Sequence, residues 1–577
     1  MKTEAIAFSL LLFVLGLYSA NADSATWNLN PLNGDWNTAA NWMPNTVPNG
    51  PNDTATFDVS NTLDISLSAT TEVEGIVFNP GASAYTLTVP SPFFMTFSGT
   101  GIINNSGVSQ TFVAATSRFE DLYPIIFFLN SATAGNSTSF TVEGGRASDF
   151  LGAAIVFSDN SSAGSGFFTV NSGAVHGASG GNITFENHST AANGTFICNA
   201  TEGTPGGIDI GPGASAGNGT FVLNDSSVMS IYGSIGDAVF TVNGSSDSES
   251  EVPSQATFFG ATTVGNAIFT TNGGTVSGAM GGLITSWSSF DAGDSTIVAN
   301  GGINGGEGGE VRFNGGSTAG NARVEVFGNG RCDISGHNAP PMSIGSLEGD
   351  GLVFLGSNNI SVGGKDINTG FAGVIQDGGA SGGTGGSVTK VGNGRLTLSG
   401  ANTYTGGTRI TAGVLKVENQ TGSATGTGPM NVNGGGLGGS GIISGAVTVG
   451  VGSGTGAFLA PSGGSHQPAT LTIESALTFK SDSTYTYKLN TRRAKADRVI
   501  ANGVTIKGGA QFVISALADH RLTAGTIFTA LSNTAATPVA GTFANLSDDS
   551  TVTVGRNTFQ ADYQGGDGND LTLTVVP

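Results

Sequence analysis

The feature that most constrains this chain is an internal repeat. An apolar or aromatic residue, a small polar stretch and a Gly-Asn-type turn leading to a second apolar residue recur through the middle of the sequence. Copies run from Phe157 to Phe168, Phe185 to Phe196, Ile210 to Phe221, Phe259 to Phe269 and Phe313 to Val324. With weaker copies added, the closing apolar residues are Phe140, Phe168, Phe196, Phe221, Phe240, Phe269, Ile297 and Val324, spaced 19 to 29 residues apart. That is the length of one solenoid coil. The residues beside each marker alternate apolar and polar, as in Thr220-Phe221-Val222-Leu223 and Val239-Phe240-Thr241-Val242, which is the period of a β-strand. One such unit cannot bury its inner face alone, whereas stacked units enclose a continuous apolar interior.

Composition excludes the alternatives. Of 577 residues 94 are Gly, and only 11% are charged. The Gly spacing lacks the strict period of collagen, and so much Gly is incompatible with long helices. At 38% hydrophobic the chain is too apolar for intrinsic disorder. The expected fold is all-β: an elongated right-handed parallel β-helix, or β-solenoid, with an N-terminal aromatic cap and a C-terminal β-domain. At one strand spacing per coil the rod would be on the order of 100 Å long. Cys198 and Cys332 would then lie five to six coils apart, roughly 25 Å, beyond the ~7 Å Cα separation a disulfide allows, so both are expected as free, inward-facing thiols.

The ends differ from the middle. Residues 1–22 read as a secretory signal: Lys2, an apolar run from Ala5 to Leu17 and a small-x-small site at Ala20-Asn21-Ala22, with cleavage near Ala22. The apolar run is too short for a transmembrane anchor, and no membrane span is expected in the mature chain. Residues 23–70 hold Trp27, Trp36 and Trp42, three of the four Trp, as an expected cap over the open end of the solenoid. The β-helix repeats are assigned to 71–370, a distinct repeat to 371–430, and a C-terminal closing region, β-helical or sandwich-like, to 431–577.

Within the distinct repeat the sequence reads SVTKVGNGRLTLSGANTYTGGTRITAGVLKV from Ser387 to Val417. It resembles the autotransporter-associated β-strand repeat, also called the passenger-associated transport repeat. The match includes Lys390, Gly392 and Gly394, the strand Leu396-Thr397-Leu398, the turn from Gly400 to Thr408 and the strand from Ala412 to Val417. The N-terminal Trp27, Asp35-Trp36, Asn41-Trp42, Pro48 and Asp53 to Phe57, and the tail from Tyr563 to Leu573, resemble the two ends of such secreted proteins. The resemblance implies a β-helical passenger of a type V secreted protein. The translocator barrel of that family is not expected here, because the chain stops at Val575-Val576-Pro577; a separate outer-membrane export partner is one possibility the resemblance leaves open.

Candidate chemistry is sparse. A net charge of −21 argues against nucleic acid as a partner, and the basic cluster Arg492-Arg493-Ala494-Lys495 reads as a solvated loop. Asp159 and Glu186 stand one coil apart, the kind of carboxylate pair that glycoside hydrolysis needs, but scattered acids make such pairs inevitable. Asp548-Asp549 reads as a turn. Gly-x-Ser-x-Gly occurs at 177–181, 213–217 and 379–383, in each case without the strand-to-helix context of a nucleophile elbow. His176, His188, His337, His466 and His520 lack metal-ligand spacing. The tail from Gly565 to Asp570 partly matches a calcium nonapeptide, but in a single copy, so a turn is expected and calcium stays open. Asn193-Gly194-Thr195 and Asn218-Gly219-Thr220 read as stacked turns rather than glycosylation sites. No catalytic, metal or cofactor residue is assigned. The expectation is an exported, non-enzymatic surface or secreted protein, a structural rod or adhesin-like binding surface whose partner is a surface polysaccharide or another cell-surface protein. The alternative is a carbohydrate-active β-helix, a polysaccharide lyase or hydrolase acting outside the cell.

Overall fold

Strand alternation places every second residue inward, and stacking in register turns those inward residues into columns. In the computed structural model the repeat markers form one such column. Phe112, Phe140, Phe168, Phe196, Phe221, Phe240, Phe269, Ile297, Val324 and Leu347 pair in unbroken parallel register, one coil to the next. Ring centroids of Phe140, Phe168, Phe196 and Phe221 are 4.7–4.9 Å apart and nearly parallel. The chain is therefore a parallel β-helix. The structure describes residues 24–577 apart from 119–121, 201–202, 249–251, 261–263, 339–340, 455 and 464–466. The secretory signal with its cleavage site and His466 lie outside the described residues.

The first sheet runs from Ala25–Trp27 to Val374–Gln376 and the second from Asp64–Ser66 to Gln511–Ala516. At ~4.8 Å per strand the second is roughly 90 Å long. Up to about residue 333 the chain alternates between these two sheets, with a short corner of paired Thr and Ser at Thr133, Ser162, Thr190, Ser215 and Ser234 between them. From Met342–Ile344 onward each coil gains a strand of a third sheet, so the cross-section becomes three-sided. One repeat unit is set differently from the sequence expectation. The inward residue that opens the unit near 259 is Phe258, fully buried, and Phe259 faces outward. At the next coil the inward position is Ser286, and Phe290 fills the space from the corner.

Trp27, Trp36 and Trp42 pack edge to face at 4.8–5.0 Å over Phe57. Their ring nitrogens donate to carbonyls of Thr62, Pro48 and Trp36, so the polar atoms of the plug are satisfied. Trp42–Met43 pairs antiparallel with Ala25–Trp27 and covers the first edge. At the other end, Ile527–Asn533 runs parallel to Arg498–Ala501 and is then closed by antiparallel strands Asp570–Val576, Asn557–Gly565 and Thr551–Val554. Cys198 and Cys332 are free and buried, in the second and first sheets respectively, and burial pushes both thiols up to about 12. Among the described residues no helix is long and apolar enough to cross a membrane.

Candidate binding surface

Outward residues also form columns, and on the first sheet three of them make a trough. One wall is the column Gln255, Leu283, Glu310 and Arg331. The floor is Ser230, Thr257, Thr285 and Arg312. The other wall is aromatic: Tyr232, then Phe259 paired with Trp287 on the next coil. Tyr232 and Phe259 stack at 4.6 Å with rings 7° from parallel. Residues i and i+4 of a strand lie roughly 13 Å apart, which sets the distance between the wall backbones. Thr257 and Thr285 are recessed between the walls at 9% and 4% exposure, whereas Tyr232 and Trp287 are 48% and 47% exposed.

Polar contacts hold the trough in shape. Gln255 Nε2 donates to Thr257 Oγ1 at 2.9 Å, and Asn314 Nδ2 to Thr285 Oγ1 at 3.0 Å. Arg312 donates to both oxygens of Glu310, from Nε at 2.6 Å and from Nη2 at 2.9 Å. That pairing raises the guanidinium above its ordinary value, a shift burial opposes. One coil before Ser230 the floor column continues as Asp209, whose carboxyl burial raises against hydrogen bonds from Asn182 and Ser230. A cleft of about 350 Å³ opens along the polar wall, with Glu307, Glu310, Arg312 and Arg331 among its lining. Arg331 Nε is buried there with no hydrogen-bond partner among the described residues. A second groove, about 310 Å³, lies on the third sheet between Asn359, Ser387, Thr389 and Asn431, with Arg409 exposed in it.

The residues singled out from sequence are spread along the rod, and the carboxylate pair is one position out of register. In-register pairing sets Phe157 against Phe185, so Glu186 stands beside Ser158 and Asp159 falls one position further along, at Asn187. Asp159 Oδ2 accepts the Asn130 backbone N–H at 3.0 Å. Asp548 accepts the Tyr563 N–H and Asp549 sits in a turn with φ 59°. Ser179, Ser215 and Ser381 of the three Gly-x-Ser-x-Gly matches lie in corners and loops, none followed by a helix. His176, His188 and His520 are exposed, and His337 is buried. Around Arg492-Arg493-Ala494-Lys495 the backbone turns, and Arg493 donates to Gln467. The Gly565 to Asp570 tail is a hairpin turn in which Asp570 Oδ1 accepts the Asn533 N–H at 2.8 Å. No group of three or more His, Cys, Asp or Glu able to hold a metal is present among the described residues. The repeat pattern does not reveal the trough, because Phe258 and Phe259 are adjacent and either can open the unit; the signal available was Trp287, the one Trp outside the N-terminal region.

The repeat at 387–417 is built from its motif residues. Lys390 is buried in the third sheet, and its Nζ donates to the carbonyls of Val391, Gly392 and Ala412. Asn402 bridges three coils, accepting from Ile375 N at 2.7 Å and donating to Ala424 O at 2.6 Å. Tyr404, fully buried, shares a hydrogen bond with Thr408 at 2.5 Å. Gly407 has φ 90° and a side chain there would strike the carbonyl of Pro429. The motif thus specifies a coil and its corners.

Residues 388–417 match the passenger-associated-transport-repeat family. The chain is 38% identical over 110 residues to the "Adhesin BmaC autotransporter" of Brucella suis biovar 1 (strain 1330), a stretch that is 19% of this chain and 3% of that protein. The chain thus spans a small part of that curated relative. Among solved structures, the Haemophilus influenzae Hap adhesin aligns with 92% of this chain and 65% of its own, at 10% identity and a TM-score of 0.28. The chain carries an autotransporter passenger-type repeat within a parallel β-helix.

Proposed function

We propose that this chain is a passenger-like, adhesin-type surface protein: a non-enzymatic β-helical rod, secreted or held at the cell surface, that binds other surfaces through its long side faces. The observation that carries the reading is the passenger-associated transport repeat built in register into a continuous rod, where Lys390, Asn402 and Tyr404 serve the coil itself. The adhesin among the relatives supports the same class. Two first-sheet carboxylates at the trough are otherwise engaged. Glu310 is clamped by Arg312, and Asp333 accepts the N–H groups of Ser335 at 2.7 Å and Ala380 at 2.6 Å. A passenger of this kind needs an outer-membrane translocator as its export partner, and its ligands are surface polysaccharides or other cell-surface proteins.

Beads coated with the purified full chain test this reading. Saturable attachment to polysaccharide-coated or cell-derived surfaces, competed by the soluble protein, is expected. Failure to attach, or release of new reducing or unsaturated sugar ends from the coat, overturns it.

A further inference from the structure

We propose that the trough between Tyr232 and Arg331 is a binding strip for an uncharged, linear polysaccharide whose pyranose rings lie along the rod axis. This rests on the adhesin-like reading and names the ligand class of that surface.

Outward aromatics elsewhere, such as Phe167 or the Phe94–Phe127 pair, are single or paired, whereas this wall runs over three successive coils. Elsewhere the repeat columns of Phe point inward, and the other three Trp are buried in the cap. Here three aromatic residues on successive coils face outward where the strand pattern calls for polar side chains, so an apolar stripe stands in water. A pyranose ring is apolar on its C–H faces and carries hydroxyls around its rim. An aromatic wall matches the first property. On the facing column Gln255 stands across from Phe259 and Leu283 across from Trp287, and the polar groups of Glu310 and Arg331 follow on the next two coils, where a polymer running along the axis would meet them. Between them the recessed Thr257 and Thr285 leave the floor low.

Charge and shape narrow the ligand. Two carboxylates, Glu307 and Glu310, and two guanidiniums, Arg312 and Arg331, line the cleft and balance one another. On a chain of net charge −21 such a strip offers no excess positive field to a uronate, sulfate or phosphate polymer. The three aromatic coils span about 10 Å along the axis, the length of a short oligosaccharide segment. The register puts Gly211, which has no side chain, one coil before Tyr232, so the strip is open at that end and a polymer can continue past it.

The test is titration of the full chain with cellohexaose, xylohexaose, mannohexaose and hexagalacturonic acid, read by calorimetry and by the emission of exposed Trp287. At least one neutral hexasaccharide is expected to bind and shift the emission. Tyr232→Ala, an exterior substitution, should weaken that binding about tenfold or more with an unchanged thermal midpoint, Arg331→Met should weaken it as well, and Trp287→Phe should retain most of it. No binding by any neutral hexasaccharide, equal or tighter binding of hexagalacturonic acid, or binding indifferent to these variants overturns the proposal. So does self-association that Tyr232→Ala abolishes in the absence of sugar binding, which would assign the strip to a second copy of the chain. Bead attachment that survives the Tyr232→Ala, Trp287→Ala double variant removes the strip and leaves the adhesin reading intact. Hexasaccharide binding without bead attachment does the reverse.

Discussion

Lys390 shows how a charged residue can be legible in sequence and yet carry no surface role. Its position in the Lys-x-Gly-x-Gly start marks the repeat, and in the fold the residue is 1% exposed and its amine ties three loop carbonyls together. Burial lowers it to about 8 from an ordinary 10.5, a shift the charge of Asp366 partly opposes. The sign follows from linkage. Below about pH 8 folded and unfolded chains both hold the proton, whereas between about 8 and 10.5 the unfolded chain holds a proton the folded chain has released. The Lys390 contribution to stability therefore rises with pH through that window. Lys390→Met leaves buried carbonyls without a donor and should cost about 1–3 kcal/mol at pH 7. Denaturant melts at several pH values check both points, because the gap between wild type and variant should widen from about pH 8 to 10.5. A constant gap would show that the amine is not titrating inside the fold.

The unit of cohesion in the stacked coils is a column that crosses the strands. At the end of the second-sheet strands Asn199, Asn224, Asn243, Asn272 and Asn300 form a ladder, in which each amide from Asn224 onward donates to the carbonyl oxygen of the Asn one coil before at 2.7–3.1 Å. The ladder satisfies half-buried polar groups that the corner would otherwise strand. Asn243→Ala removes two links at once and should cost about 1–3 kcal/mol, with amide exchange accelerating first at the neighbouring coils because each coil contacts only its neighbours. Hydrogen exchange by mass spectrometry locates the effect, and exchange that rises uniformly along the chain would contradict it. Apolar periodicity was sufficient to find the strands, since the markers Phe140, Phe168, Phe196 and Phe221 are in-register partners. It was insufficient at 258–259, where two adjacent Phe offer either face and only the register with Ile231 puts Phe258 inside.

As a whole the molecule is a rod of roughly 90 Å in its second sheet alone, plugged by the Trp cluster and closed by antiparallel strands. Small-angle scattering should give an elongated particle with a maximum dimension of at least about 90 Å, and a compact profile would contradict the stacking. Sequence by itself determined the coil, because side-chain alternation and repeat length are local properties that any stacked arrangement of these units must respect. It also separated the two thiols, since their distance along the chain converts directly into coils. Neither the passage from two-sided to three-sided coils near Met342 nor the trough could be read that way. Both depend on which residues of different coils become neighbours. Asp159 and Glu186 end one position out of register, and Tyr232, Phe259 and Trp287 come together, because register between strands more than twenty residues apart is fixed by the packing of the shared interior, and only the assembled fold sets it.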